Sequence, residues 1–557
     1  MVLSQSFAHA ALLVLRVADY FLLLSAVFCA AVRYTSRRES KAAARPISYG
    51  LLAIAASGYL AFWIWLASPG AGYIFSLLVP LCCAVYSIRG WRGFARQKRV
   101  LSIWLLLCPA ALIVLAAGFL YGGMEQPLLT AESRFSHTLP SDNALPLIFA
   151  DQLENGKIER PMIGDWLSSD RPPLQTGLTL LIYPYRLASR TLSYMLVGVL
   201  LQILWIPALW VLLDALEIRR RQAAWILAAV FASGFSLLNT FFVWPKLLAA
   251  AFGLAFAALL FLPGDQRNTR TGFIAGALLA FSLLSHGGAA FFALGLAASY
   301  PAWRSRARIP IRTLGWMLAG LAICYAPWAA YQKFVDPPGD RLLKMHFAGI
   351  AQPDPRPFAK ALADAYAPLS AHDILAARLA NLETVFDHEL EYANGVLQLI
   401  ASRTRAEASD AAREIRRAQF FYLSPALGFY LVGVPLLAAG LLPRFRRPAW
   451  KIALLGWSVA LATALIWCAL LFEANAAVLH QGAYAMVLLA LAASLLSLWN
   501  VSPLLARITI LLQTVLTIAA YVVTYTTRPD IAQLLLLCAS LGVFLATLRW
   551  ISMERDH

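Results

Sequence analysis

Runs of about 20 apolar residues recur along the whole chain, and no other feature constrains its fold as strongly. A helix of about that length crosses a hydrocarbon core of about 30 Å. Hydrophobic residues make up 60% of the sequence and charged residues 13%, so a water-soluble fold could not cover its own apolar surface. We therefore predict an all-α, polytopic integral membrane protein with about 13–15 transmembrane helices. Fifteen apolar runs lie at 7–32, 47–67, 70–88, 100–121, 191–214, 222–240, 247–262, 271–285, 287–302, 313–332, 419–442, 452–472, 483–499, 503–525 and 531–549.

The net charge of +17 would suggest nucleic-acid binding in a soluble protein, but here the basic residues fall in short clusters between apolar runs. Such clusters are typical of cytoplasmic loops. With fifteen crossings, all of them fall on one side of the membrane. The sequence thus predicts no nucleic-acid partner and a bacterial-type inner membrane, with the amino terminus outside and the carboxyl terminus cytoplasmic. The clusters are Arg33, Arg37, Arg38, Lys41 and Arg45; Arg89, Arg92, Arg96, Lys98 and Arg99; Arg219, Arg220 and Arg221; Arg304, Arg306, Arg308 and Arg312; and Arg444, Arg446, Arg447 and Lys451.

Two long polar segments, 122–190 and 333–418, fall on the external side of this topology. The second contains stretches with helical periodicity at 359–382 and 406–417, so we predict a small helical subdomain there. The first carries an apolar run at 174–186, long enough for about half a bilayer, which we expect to form a helix at the membrane interface. The predicted organisation is an amino-terminal three-helix extension (1–99), a membrane core with the first external loop (100–332), the second external loop (333–418) and carboxyl-terminal membrane helices (419–557).

Two residues of the first loop are candidates for chemistry. Asp142 lies just outside the bilayer beside a helix start, where a partly desolvated carboxylate can act as a general base. The alternative is that Ser141 or Asp142 caps the helix predicted from about Asn143 to Glu154. Arg171 precedes two prolines, and its planar guanidinium suits a phosphate at the interface. Its alternative is an interfacial arginine that extends its charged end to water.

Further polar residues fall on the same predicted face, in segments such as Trp244-Pro245-Lys246 and Ser285-His286-Gly287-Gly288. A cation at membrane depth is costly unless it faces water or an anion, and a lipid phosphate is such an anion. The alternatives are a Lys246 that extends to water, a His286 bonded to a backbone carbonyl, and solvated turn positions for Glu473 and His480. The candidate substrate-binding residues, with Arg171, are Lys246, His286, Arg341, Lys344, His346, Glu473 and His480.

The order of features in the first loop resembles a known pattern. Asp142 is followed by a helix ending at Asn155-Gly156-Lys157, then by Gly164-Asp165-Trp166 and by Arg171-Pro172-Pro173-Leu174. This sequence is similar to the first external loop of the GT-C-fold glycosyltransferases that use polyprenol-phosphate sugars. The resemblance is strongest to the relatives of lipid A aminoarabinose transferase and of protein O-mannosyltransferase.

The resemblance implies a GT-C-like fold and an inverting transfer of a sugar from a polyprenyl-phosphate lipid in the membrane to a hydroxyl of a glycan or lipid acceptor. It implies Asp142 as general base and Arg171 on the donor phosphate. Two positions depart from the family. Asn143 stands where the family has Glu, which leaves the use of a divalent metal open, and Arg171 stands where it more often has Lys. The three helices before residue 100 add to the usual core.

Two other classes of function stay open at this stage. A transporter or flippase of lipid-linked glycans would carry charges in mid-helix and broken segments in matched halves. Arg16 and Asp19 are the one clear charged pair deep in a predicted span. A polysaccharide polymerase or ligase would instead depend on arginines in a large external loop.

Overall fold

The computed structural model describes residues 2–36, 43–90, 97–135 and 139–553. Within these ranges the secondary structure is helical throughout, with no β-strand. Together with the apolar helices below, this makes the chain an all-α, polytopic membrane protein. Five basic residues of the predicted cytoplasmic clusters lie outside the described ranges: Arg37, Arg38, Lys41, Arg92 and Arg96.

Eleven helices in the described part of the chain are long and apolar enough to cross a membrane. The helices Arg220–Phe231 and Gly234–Phe241, bent by 61° at their junction, make a twelfth if they form one span. The eleven are Ser6–Thr35, Ala44–Ala67, Pro69–Ile88, Lys98–Gly118, Arg190–Ala215, Ile311–Val335, Leu423–Leu441, Pro448–Leu470, Tyr484–Val501, Pro503–Val522 and Ile531–Met553.

Three shorter apolar helices, Lys246–Leu260, Thr269–Ser285 and Ala289–Ala298, account for the remaining predicted runs. Each of the fifteen apolar runs therefore forms helical structure. The three short helices are below the usual crossing length. Every residue of Lys246–Leu260 is buried, so this helix is surrounded by other helices.

Hydrogen bonds between the ends of the helices agree with the predicted alternation of the crossings. On the face with the basic clusters, Arg306 donates to the carbonyl of Leu216 at 2.9 Å. On the other face, the backbone amide of Asp530 donates to the carbonyl of Leu120 at 2.7 Å. Both contacts join segments that the fifteen-crossing order puts on the same side.

The first loop contains the helices Pro127–Ser133, Leu145–Glu154 and Leu174–Ile182. The predicted helix that ends at Glu154 begins at Leu145, after a 3₁₀ turn over Ser141–Ala144. Neither the turn nor the helix has a side-chain cap, so the predicted capping role of Ser141 or Asp142 is wrong. Pro146 at the start of the helix has no N–H and leaves one less donor to cap.

The run at 174–186 forms the helix Leu174–Ile182, but its position differs from the prediction. All nine of its residues are buried, so it packs within protein instead of lying on a lipid surface. Its main partner is the helix Ala44–Ala67 of the amino-terminal extension. A Cβ atom added to Gly177 would lie 2.1 Å from the carbonyl oxygen of Gly58, so the two backbones meet directly. The extension therefore holds the segment that follows Arg171.

The second loop is helical, as predicted. It is tied to the first loop through Asp336, a buried residue whose carboxylate accepts hydrogen bonds from the Ser168 hydroxyl at 2.7 Å and the Ser169 amide at 2.9 Å. Arg160 adds an ion pair to the same carboxylate at 3.1 Å. The two long loops thus form one connected structure. The helices of the second loop are Arg341–Ala348, Phe358–Tyr366, Ala371–Phe386, Glu389–Ala401 and Arg405–Phe421.

Candidate functional site

Asp142 and Arg171, 29 residues apart in the sequence, form an ion pair with an N–O distance of 2.5 Å. Their side chains are only 13% and 9% exposed. Two of their polar atoms, Asp142 Oδ1 and Arg171 Nε, are buried with no hydrogen-bond partner among the described residues. The guanidinium also lies 4.1 Å from the ring centre of Trp166. Buried polar atoms are normally hydrogen-bonded, so this pair is incomplete within the described protein.

Lys246 is the first residue of the helix Lys246–Leu260, and its side chain is 3% exposed. Its Nζ atom lies 3.6 Å from the ring centre of Trp244 and 5.4 Å from that of Tyr484. Within the described part of the chain it has no hydrogen bond and no ion pair. A buried ammonium without a paired acid is costly, and the two rings replace only a part of its hydration. The predicted alternative, a side chain that extends to water, is therefore wrong.

Three histidines surround this ammonium. The rings of His480 and His286 lie 6.1 and 6.5 Å from that of Trp244. His346, from the second loop, is close enough to Lys246 for the ammonium to act on its titration. The cluster thus brings together residues from four separate segments of the chain, all of which the predicted topology puts on the external face.

The histidines are neutral at physiological pH. Burial, and then the charge of Lys246, lowers the pKa of His346 to about 4 and that of His480 to about 3. The Nδ1 atom of His286 accepts a hydrogen bond from the backbone N–H of Gly288 at 3.1 Å, instead of the predicted bond to a backbone carbonyl. Besides the neutral histidines, the cluster therefore holds two basic side chains, Lys246 and Arg171, and one acid, Asp142.

Arg341, predicted as a substrate ligand, has its guanidinium against the first loop. It forms an ion pair with Asp170 at 2.8 Å and donates to the backbone carbonyl of Asp165 at 2.7 Å. It also pairs with the Asp165 carboxylate, and its side chain is 4% exposed. The guanidinium lies 5.5 Å from the ring of Trp166, which also contacts Arg171. Arg341 is thus positioned to hold the segment that carries Arg171.

Lys344 and Glu473 make their contacts outside the Lys246 cluster. The fully buried Lys344 ammonium pairs with Asp340 at 2.8 Å and donates to the carbonyl of Asp354 at 2.7 Å, so protein oxygens occupy it. Glu473 is exposed. Its carboxylate lies near Gly349, at the edge of the site, as expected for a solvated turn residue.

Asn143, at the position of the family's second carboxylate, is fully buried and serves the fold. Its side chain donates to the carbonyl of Phe242 at 3.2 Å, and its backbone carbonyl accepts from the Tyr194 hydroxyl at 2.6 Å. Gln175 donates to the same hydroxyl at 2.8 Å. Sequence reasoning missed this network below Asp142. The one available signal was a glutamine inside an apolar helix.

Among the residues that the structure describes, no group of three or more His, Cys, Asp or Glu side chains is arranged to hold a metal ion. The chain was compared with protein-family models, with curated proteins and with solved structures. None of them matches. The resemblance to glycosyltransferases therefore rests on the motifs of the first loop.

Proposed function

We propose that this protein is an inverting, GT-C-like glycosyltransferase that moves a sugar from a polyprenyl-phosphate carrier to a hydroxyl of a glycan or lipid acceptor. One observation carries the proposal. A carboxylate with a free oxygen, that of Asp142, lies in one cluster with two buried cations, Arg171 and Lys246, and Lys246 has no acidic partner of its own within the described residues. A base and an unfilled anion site are the two parts that such a transfer needs.

The reaction uses these groups as follows. Asp142 Oδ1 accepts the proton of the acceptor hydroxyl, and the acceptor oxygen attacks the anomeric carbon from the side opposite the phosphate. The bond between that carbon and the phosphate oxygen breaks, and its electron pair leaves with the carrier phosphate. Arg171 and Lys246 stabilise the negative charge that develops on the phosphate. A single displacement inverts the configuration of the sugar.

The orientation is part of the proposal. The basic clusters mark the cytoplasmic face of a bacterial-type inner membrane, so the amino terminus and both long loops are external. The site then lies at the membrane surface on the external side, where the phosphate of a lipid carrier is within reach.

The contacts of the arginines and acids favour this function over its rivals. A polymerase or ligase that depends on arginines of the large external loop would need Arg341 free, yet Asp165 and Asp170 bind its guanidinium. The Arg16–Asp19 pair, with an N–O distance of 2.9 Å, joins residues three apart on the first helix. Such a pair stabilises a single helix and is no sign of a transport path.

The test is the Asp142→Asn variant. Asparagine keeps an oxygen for Arg171 but cannot take a proton, so we expect a folded protein whose turnover is about 10² to 10⁴ times slower. Release of polyprenyl phosphate from a polyprenyl-phosphate sugar, measured in proteoliposomes, gives the rate. Asp410→Asn, at a carboxylate that is 68% exposed, is the matched control and should keep full activity. Full activity of Asp142→Asn would refute the assignment of the base.

A further inference from the structure

His286, His346 and His480 face the same buried ammonium, that of Lys246. Trp244 forms the floor of this group, because Lys246 Nζ and two of the imidazoles lie within 3.6 to 6.5 Å of its ring centre. The Nδ1 atom of His480 is buried with no hydrogen-bond partner in the described part of the protein. Lys246, His286 and Tyr484 line a small cavity. We call this cavity, together with His346 and His480 beside it, the Lys246 pocket; it combines one buried amine with three imidazoles that can gain a proton.

The charged surroundings of the pocket are simple. Lys246 and Arg171 are the cations that act on the histidines. Asp142 is the carboxylate that acts on Lys246, and it is already paired with Arg171. Of the other charged or titratable groups on adjacent elements, Arg341 and Lys344 have protein partners, the Tyr484 hydroxyl donates to Asn239, and Glu473 is exposed. Gln481 adds a buried side-chain oxygen without a partner in the described structure.

We propose that the Lys246 pocket takes up one proton from water when a phosphate monoester binds, and that the three histidines share this proton. The inference rests on the proposed function, in which the donor is a phosphodiester with one negative charge and the departing carrier is a monoester with two. The proton of the acceptor goes to Asp142, so it does not neutralise the second charge of the carrier. Protonation of the imidazoles balances that charge and holds the carrier until it leaves.

The size of the pKa change caused by each charge of the ligand makes proton uptake selective for the monoester. Two unit charges about 4 Å apart, at an effective dielectric constant of about 20, change a pKa by about three pH units. Burial and Lys246 lower the pKa of His346 to about 4. One negative charge nearby brings this pKa to about neutrality, whereas two raise it well above neutrality. At pH 8 the monoester therefore drives protonation and the diester does not.

Isothermal titration calorimetry of the full-length protein in detergent tests the inference. Farnesyl phosphate is titrated at pH 8 in Tris and in HEPPS, whose ionisation enthalpies differ, and the difference in heat gives the number of protons taken up. We expect about one proton for each farnesyl phosphate bound, and close to none for farnesyl methyl phosphate. Inorganic phosphate, which lacks the prenyl chain, should bind at least about tenfold more weakly if the pocket serves a lipid.

The variants locate the proton. The triple change His286→Gln, His346→Gln and His480→Gln should lower the uptake to less than about 0.2 proton, because glutamine does not titrate. His346→Gln alone should lower the proton uptake in part. This single variant replaces the triple variant in the test if the triple variant does not fold. His372→Gln, at an exposed histidine of the second loop, should match the parent.

Each outcome decides between the two proposals. Farnesyl phosphate binding without proton uptake, or uptake that persists in the histidine variants, would overturn this inference and leave the glycosyltransferase proposal standing. If neither farnesyl phosphate nor its methyl ester binds, the proposed function fails as well. Turnover by the Asp142 assay is measured separately, so the two failures are distinguishable.

Discussion

Two groups of buried cations lie among the two long loops and the adjacent helix ends, and they differ in what surrounds them. Arg341 and Lys344 are enclosed by carboxylates and carbonyls, which satisfy their charges within the protein. Lys246 is enclosed by the rings of Trp244 and Tyr484 and has no paired acid in the described structure. A satisfied cation holds two segments together, whereas a desolvated cation without an anion is a site for a ligand. The same residue types thus serve the fold in one region and a substrate in the other.

The largest expected effect concerns the satisfied region. Arg341→Met leaves the charges of Asp165 and Asp170 without their partner, so we expect a loss of stability of about 3–5 kcal/mol. Thermal unfolding in detergent measures it. Arg356→Met is the control, because Arg356 is 42% exposed and water screens its pair with Asp354, so its unfolding temperature should stay close to that of the parent. If Arg341→Met and Arg356→Met unfold at the same temperature, the distinction between the two regions loses its basis.

Lys246→Met should show the opposite behaviour. It removes an ammonium that lacks a partner acid, so we expect unfolding at the same temperature as the parent or a higher one. Stabilisation of the leaving phosphate should fall by about 2–4 kcal/mol, seen as slower release of polyprenyl phosphate. A variant that is destabilised but retains full turnover would place Lys246 with Arg341 and Lys344, as a residue of the fold.

Arg171 sharpens the comparison because it belongs to both categories, with a paired carboxylate and a free Nε atom. If Arg171 binds the donor phosphate, Arg171→Gln should raise the activation free energy of turnover by about 2–4 kcal/mol. Arg171→Lys keeps the charge, so its turnover should stay close to that of the parent. Donor binding should weaken in the same order. Equal turnover and equal donor binding in the Gln variant would leave Arg171 with a structural role only, as the partner of Asp142.

The smallest effect, taken per pH unit, is on the pH dependence of stability. The folded pKa values of His346 and His480, about 4 and about 3, lie below the ordinary value of about 6.5. Between the folded and the ordinary pKa values the unfolded chain binds more protons than the folded protein. The contribution of the neutral imidazoles to the free energy of unfolding is therefore complete above about pH 6.5 and is lost as the pH falls from there towards the folded pKa values. Each imidazole contributes a slope of up to about 1.4 kcal/mol per pH unit. Unfolding temperatures from pH 7 to pH 4 should fall less steeply in His346→Gln and His480→Gln than in His372→Gln.

The helices were predictable because a bilayer leaves the sequence little choice. Each crossing needs a long apolar run, so the fifteen runs and the helical second loop could be found without any knowledge of tertiary contacts. The alternation of basic clusters then put Asp142, Arg171 and Lys246 on one face. A prediction that residues share one face of the membrane does not show that they are in contact. It was nevertheless enough to select residues that the fold brings together.

What the sequence could not show is which cations are satisfied. Arg341 and Lys246 looked alike as cations on the outer face, and the acids that distinguish them come from a remote segment, since Asp165 and Asp170 belong to the other loop. The same reason explains the wrong capping role of Asp142, whose partner Arg171 comes from further along the loop. Local propensity predicts caps, whereas partners over long separations depend on tertiary packing.

The direct backbone contact between Gly58 and Gly177 bears on how the site is assembled during synthesis. The helix that carries Gly58 is made well before the first loop emerges, so a docking surface for Leu174–Ile182 already exists when that segment appears. A methyl group added to Gly58 would lie 2.5 Å from Cγ of Leu178 and 3.1 Å from its backbone nitrogen, so it has no room against the docked helix. It would have to push the docked helix away, and Arg171 lies three residues before that helix. A single methyl group added in the extension would thus displace the Arg171 guanidinium. The first helices therefore set the position of a side chain of the site.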